Sequence, residues 1–433
     1  MALKNNKIVT FLDLDIENIG PLRIGDEDSI LIDKLSNNAY IPGSSIGGAL
    51  RGYISENFGE DLAKKIFGTG EDESKIVVFD SIAKNNKGIE IRPSVRINNR
   101  LGINEDKAFF EREYLEEGHK FNFKFKLFSE NIEESEKNKE ILINAINGIN
   151  KGDLRFGGHK TNGAGIFKIN KVQECVLNLA KKEELIKYLI DDISFKNLNF
   201  NLEEETTRFV TFKINCTTKT PILIKGKGSL EHNLPDGTNM IQEQDLLNGD
   251  KVYFIPGSSI KGSFRNGFDK IAKFKNIKEL TDIAFGKARD KDKKDDENTM
   301  GRVYFEDIKI KNSLDKAIYN RIKIDKFTGG VRSGAVLDEQ PIKGSLDFTI
   351  KYKLFNDEND NKILALMIYT IKDIFEGVIT LGGGNAIGRG KLKGDKILFL
   401  KDGEEYLIDL SESKHKNKEK IDKILNSINK EAK

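Results

Sequence analysis

Tyr40-Ile41-Pro42-Gly43-Ser44-Ser45-Ile46-Gly47-Gly48-Ala49-Leu50-Arg51 is a stretch that this chain carries twice. The second copy is Phe254-Ile255-Pro256-Gly257-Ser258-Ser259-Ile260-Lys261-Gly262-Ser263-Phe264-Arg265. An apolar pair leads into Pro-Gly, which is turn chemistry. The serines at the turn exit are good N-caps, because a hydroxyl can accept from the free N–H groups of a first helical turn. Each copy therefore predicts a strand, a tight turn and a capped helix whose N-terminus faces an anion. One copy alone reads as an ordinary strand–helix junction. Two copies about 214 residues apart imply two related domains.

Other landmarks recur in the same order around them. Ile66-Phe67-Gly68 is answered by Ala284-Phe285-Gly286, and the strand ending at Asp80 by the strand ending at Asp307. An irregular, charged, Arg-rich segment from Ile91 to Glu117 stands where Arg321 to Gln340 stands later. The alternation of Phe121, Phe123, Phe125 and Leu127 is matched by Phe348, Ile350, Tyr352 and Leu354, which is strand period. Helices follow, over Ile141–Ile149 and Leu364–Phe375. Both halves then close on a glycine-rich loop, residues 156–165 and 381–391. The order is strand, helix, strand, insertion, strand, helix, glycine loop, strand. It predicts an α+β fold of two tandem ferredoxin-like, RRM-like domains with helices on one sheet face and the other face open. The expected division is 1–180, a linker over 181–208, 209–400, and a helical tail over 401–433.

Composition narrows the function. The chain has 433 residues and a net charge of only +2, although 32% of its residues are charged. No global basic field demands nucleic acid, so such a reading must rest on local placement. Two cysteines without metal spacing and four scattered histidines argue against a zinc or histidine-built metal site and for a reducing compartment. No signal-peptide pattern and no apolar run of membrane-spanning length is present, so a soluble, cytoplasmic protein is expected. No nucleotide-binding loop or hydrolase elbow occurs.

The doubled series of motifs resembles the repeat-associated mysterious protein (RAMP) superfamily. More narrowly, it is similar to backbone subunits of type III CRISPR effector complexes, in the tandem form of subtype III-D. The resemblance implies a guide-RNA-binding subunit of an antiviral ribonucleoprotein, whose partners are guide RNA, complementary target RNA and the other effector subunits. It implies thumb-like insertions that splay the guide–target duplex. Catalytic members cut target RNA at regular intervals with a loop aspartate and Mg2+ or Mn2+. By the family's pattern that aspartate is Asp28, which would hold the metal, with Asp26 as its neighbour. The second half departs from the pattern: Asn239 or Met240 stands at the Asp28 position, and Asp236, beside His232, is the shifted candidate.

For RNA binding the candidates are Ser44, Ser45, Arg51, Ser258, Ser259, Lys261 and Arg265 on the helices. Gly158, Lys160, Gly163, Gly383, Gly388 and Arg389 are candidates in the glycine loops, where backbone N–H groups can approach RNA closely. Arg96, Arg100, Lys326 and Arg332 lie in the insertions, interleaved with Phe109, Phe110 and Phe327, which suits phosphate contact and base wedging. A lone carboxylate suffices where the substrate's own 2′-hydroxyl is the nucleophile, because magnesium takes one or two carboxylates plus phosphate and water. The plainer readings are solvated turns and surface arginines. Two other functions stay open: a backbone subunit that does not cut, and a metal-independent guide-processing ribonuclease, which needs a catalytic histidine or other general acid–base set.

Overall fold

The computed structural model describes the chain apart from residues 1–5, 27–28, 99–102, 199–207, 225–236, 240–241, 245–250, 288–298, 314–317, 413–414 and 430–433; of 96–98, 103–109, 237–239, 242–244, 251 and 333–337 it describes the backbone only. Two compact units divide it. The first takes in Met1–Ile91, Glu111–Lys160 and Ala164–Glu205; the second takes in Arg92–Phe110, Thr161–Gly163 and Thr206–Lys433.

In the first half of the chain the elements are β1 (Ile8–Asn18), α1 (Gly43–Phe58), α2 (Glu60–Phe67), β2 (Ile76–Val78), β3 (Ile89–Asn98), β4 (Ile103–Leu115), β5 (Lys120–Ser129), α3 (Ile132–Asn150), β6 (Phe167–Asn178) and α4 (Lys182–Leu189), of which the Arg92–Phe110 part of β3 and β4 belongs to the second unit. The sheet runs β2-β5-β1-β6, with every neighbouring pair antiparallel. With the β3–β4 insertion set aside, that is the β-α-β-β-α-β order predicted from the motifs. Alternation decides which face is buried. Leu12, Leu14 and Ile16 lie opposite Phe125, Phe123 and Phe121, and all six are buried. Phe123, Phe156 and Phe167 meet edge to face behind them.

The second unit repeats the plan: β7 (Phe209–Thr218), α5 (Gly257–Phe274), α6 (Glu279–Phe285), β8 (Val303–Phe305), β9 (Tyr319–Ile324), β10 (Val331–Gln340), β11 (Ser345–Lys353), α7 (Asn359–Phe375), β12 (Lys396–Lys401), β13 (Glu404–Asp409) and α8 (Lys418–Asn426). Its central order is β8-β11-β7-β12, again antiparallel. The tail is more than a helix: β13 pairs with β12 before α8 buries Ile421 and Ile424.

Three local readings change. The Arg-rich segment expected to be irregular is the paired ribbon β3–β4; Pro93 and the scattered charges hide its alternation. The face opposite the helices is not wholly open in the first unit. Val9, Phe11, Phe128, Cys175 and Leu177 form a small core there with Tyr188 and Ile193, so the segment read as a linker is partly packing structure. The repeat also sits one residue pair away from its expected alignment. Ile76 lies opposite Leu127 and Val303 opposite Tyr352, so Leu346 rather than Phe348 answers Phe121. No described helix is long and apolar enough to cross a membrane.

Candidate functional site

The repeated turn is built differently from the serine-capped junction expected. Each helix begins at the glycine, the N-cap residue is Pro42 or Pro256, and neither makes a side-chain cap. The cap comes from the aspartate that ends the following strand. Gly43 N–H donates to Asp80 Oδ1 at 2.7 Å, and Gly257 N–H donates to Asp307 Oδ1 at 2.8 Å. A carboxylate thus already complements the positive helix end. Ser44 and Ser258 remain exposed on the first turn, with Ser45 and Ser259 half-buried beside them.

The second oxygen of each aspartate has a different partner. The Tyr40 hydroxyl donates to Asp80 Oδ2 at 2.7 Å. The Gly43 amide and the Tyr40 hydroxyl together hold the Asp80 carboxyl below its usual range, and the same bond raises Tyr40. Phe254 replaces Tyr40 in the second copy. There the Arg92 guanidinium lies over the Phe254 ring and bonds Asp307 Oδ2 at 2.6 Å. All of these second-copy residues belong to the second unit.

The cations on the two helices are engaged within the protein. Arg51 lies 3.9 Å from Glu60, and Arg265 lies 3.2 Å from Asp282. Lys261 donates to Thr161 Oγ1 at 2.7 Å. Burial, with Arg265 nearby, lowers the Lys261 pKa to about 8. Lys261 is a candidate for RNA contact, and in this structure its ammonium is turned to that hydroxyl.

The candidate aspartates sit unevenly. Asp28, Asp236 and His232 lie outside the described residues. Asp26 is exposed in a tight turn in which Gly25 and Ile30 form an antiparallel bridge and Leu31 N–H donates to Ile24 O at 2.9 Å. A Cβ at Gly25 would collide with the Ser29 carbonyl, so this turn needs glycine. Arg23, which the sequence reading left without a role, is buried and bonds the Asp26 carbonyl at 2.8 Å and the Glu113 carbonyl at 2.9 Å. Among the described residues no three His, Cys, Asp or Glu side chains cluster as metal ligands. A magnesium ion held by one or two carboxylates and phosphate requires no such cluster.

The glycine loops pack against the same strand ends. Gly158 N–H donates to Arg23 O at 2.8 Å, and Gly383 N–H donates to Leu223 O at 2.7 Å. Gly163 and Gly388 both take positive φ, as the turns require. Lys160 accepts from Arg155 through its carbonyl. Arg389, also expected at RNA, is buried and ion-paired with Glu339, both of whose oxygens accept from Arg321, at 3.1 and 3.2 Å. Burial opposes the Glu339 charge, but the two guanidinium groups outweigh it and keep the carboxyl below its usual range.

The insertions are where cations reach solvent. The side chains of Arg96 and Arg100 lie outside the described residues. The β9–β10 hairpin ends in an Asp325–Gly330 turn, in which the Asp325 side chain accepts from Phe327 N–H at 2.9 Å and Thr328 N–H at 3.0 Å. Phe327 at the tip is 99% exposed. Lys323, Lys326 and Arg332 surround it, all exposed, with Ile322, Ile324 and Val331 exposed on the same ribbon. Apolar side chains so presented mark an interaction surface.

Comparison with known proteins adds the following. The family model described as the RAMP superfamily matches residues 15–168 and 215–393. No curated protein matches. Among solved structures, one similar chain comes from the cryo-EM structure of the Type III-B Cmr-beta complex bound to cognate target RNA, with 20% identity and a TM-score of 0.32. The match covers 38% of this chain and 60% of that one.

Proposed function

The chain belongs to the RAMP superfamily, and on that premise we propose that it is a guide-RNA-binding backbone subunit of a type III CRISPR ribonucleoprotein. It holds the guide–target duplex along both modules. The observation that carries the reading is the β9–β10 hairpin, a basic ribbon with an unburied phenylalanine at its tip. A globular protein gains nothing from Phe327 in water. A hairpin that wedges between bases does, because stacking is worth about 1–3 kcal/mol per base. Lys323, Lys326 and Arg332 beside it meet phosphates.

The first module cuts the target RNA. The acidic turn at Asp26–Ser29 supplies carboxylates, with Asp28 as the cutting residue. A divalent ion held there would offset phosphate charge. The protein's own part is to hold the backbone in line so that the 2′-hydroxyl attacks. The guide-processing reading has less to stand on. Both ring nitrogens of His119 are occupied, by the Glu116 carbonyl and the Lys87 N–H, so it is poorly placed as a general acid or base.

The test is a guide–target duplex with a fluorescent base analogue at the expected wedge position. The assembled wild-type complex should brighten it, and Phe327→Ala should abolish the signal at saturating complex. An analogue that stays stacked with wild type would overturn the wedge.

A further inference from the structure

We infer that Arg389 and Tyr319 are positioning residues of the second module: they lock its glycine loop to the root of the β9–β10 hairpin and so fix the base step that the Phe327 tip enters. The inference rests on the wedge proposed above.

Arg389 comes from the glycine loop and reaches both strands of the hairpin. On β10 it pairs with the Glu339 carboxylate. On β9 its guanidinium lies over the Tyr319 ring, 5.5 Å from the centroid. Tyr319 and Glu339 stand directly opposite each other in the β9–β10 register, so one side chain clamps a single cross-strand pair. Arg321, further along β9, donates to both Glu339 oxygens at 3.1 and 3.2 Å. The loop is shaped around its arginine. Arg389 N–H donates to Gly384 O at 3.2 Å, and a Cβ at Gly384 would meet Arg389 Cδ at 3.0 Å. Arg389 and Glu339 are 7% and 3% exposed, so salt screens the pair little. A guanidinium is planar and its donors point in fixed directions, so the clamp sets an angle as well as a distance.

The angle matters because the hairpin is a lever. β9 is the outer strand of a three-stranded sheet with β10 and Gly237–Asn239. From Tyr319 to Ile324 it extends about 17 Å, at about 3.4 Å per residue, before the tip turn begins. A tilt of about 10° at the root therefore carries the tip about 3 Å. Successive nucleotides lie about 3.4 Å apart along a B-form strand. A small loosening at the root thus amounts to one base step at Phe327. The loop side of the lock is open. Ile387 is exposed, and among the described residues nothing lies within 4 Å of a Cβ placed on Gly388. That open backbone is held at a fixed distance from the tip.

The test reads position rather than strength. A fluorescent base analogue is moved one nucleotide at a time across the expected wedge site of the target strand, in the assembled guide complex at saturating concentration. Wild type should brighten one position, and Phe327→Ala none. Tyr319→Leu should spread the signal to adjacent positions and lower the brightest at least about twofold, as one orientation becomes several. Tyr319→Phe keeps the ring and should restore the single position. Arg389→Lys keeps the charge without the planar fork and should broaden the profile further. RNA affinity of the Tyr319 variants should stay within about twofold of wild type, because Lys323, Lys326 and Arg332 are untouched. Tyr319 is 39% exposed, so its variants carry the test even where Arg389→Lys does not fold. If Phe327→Ala erases the signal while Tyr319→Leu keeps one bright position at wild-type intensity, the contacts only stabilise the module and the inference fails. If Phe327→Ala leaves the profile unchanged, the wedge reading itself fails and the inference falls with it.

Discussion

At the root of its hairpin the first unit keeps a glutamate, Glu113, that bonds one backbone amide of an exposed acidic turn. The second unit has its glutamate one position earlier, at Glu339, locked between Arg321 and Arg389. The same topology thus surrounds two unlike arrangements of charge. A carboxylate gripped by two guanidiniums stabilises its own module and is unavailable to a metal or a phosphate-bound water. A carboxylate that bonds the Ile30 amide leaves Asp26 exposed beside it. Duplication preserved the scaffold; the charges around the glycine loop and hairpin root are what diverged.

The largest expected effect tests that contrast directly. Glu339→Ala leaves buried Arg389 without its partner and should cost the second unit about 3–5 kcal/mol. Glu113→Ala removes one long backbone bond and should cost the first unit about 1 kcal/mol. Urea melts followed by amide exchange in β5 and β11 would separate the two. Equal losses would mean that the two roots are energetically alike.

The helix-capping aspartates come next. Asp80→Ala should cost about 1 kcal/mol, the ordinary value of a cap. Asp307→Ala also removes the carboxylate that the largely buried Arg92 bonds and should cost about 2–3 kcal/mol. A larger loss from Asp80→Ala would show that the Tyr40 hydroxyl matters more than the guanidinium.

A pH difference follows from His119. Its counterpart in the second unit is Gly344: His119 N–H bonds the Asn18 side chain as Gly344 N–H bonds the Thr218 hydroxyl. Burial lowers the His119 pKa, against the weaker opposing pull of the Glu116 carbonyl. The unfolded chain therefore takes up a proton below about pH 6.5 that the folded unit refuses, and stability falls as pH drops through that range. Amide protection in β5 should weaken from pH 7 to pH 5 more than protection in β11, and His119→Gln should remove the excess.

The smallest effect concerns RNA. Lys326→Ala and Arg332→Ala should each reduce the salt slope of RNA binding by about 0.7. Lys261→Ala, whose ammonium is bonded to Thr161, should change it far less. A steep loss from Lys261→Ala alone would return that residue to the RNA surface.

Much of the fold was legible in the sequence because the repeat made each weak signal count twice. Period-2 runs such as Leu12-Leu14-Ile16 gave the central strands, and the order of landmarks gave the topology. The β3–β4 ribbon was not legible, since a two-stranded ribbon has no single buried face to impose alternation. The site was legible in part. Phe327, Lys326 and Arg332 are exposed as their interleaving suggested. The proline N-caps and the partners of Lys261 and Arg389 were not legible, because residue type says where a side chain can bond and not which partner reaches it first. The recurring aspartate at 80 and 307 was visible as a pattern, but its capping role needed the distance to glycines 37 and 50 residues earlier in the chain. Arg23 carries no motif signal beyond the absence of an arginine at Leu223.

Two modules share a scaffold, and the proposed function assigns cutting to the first. The measurement that tests it most directly is a map of target-RNA cuts made by the assembled guide complex with magnesium or manganese, for wild type, Asp28→Ala and Asp236→Ala. One cut should vanish with Asp28→Ala while target binding holds, and Asp236→Ala should leave every cut in place. A cut lost with Asp236→Ala, or a full pattern surviving Asp28→Ala, would contradict it.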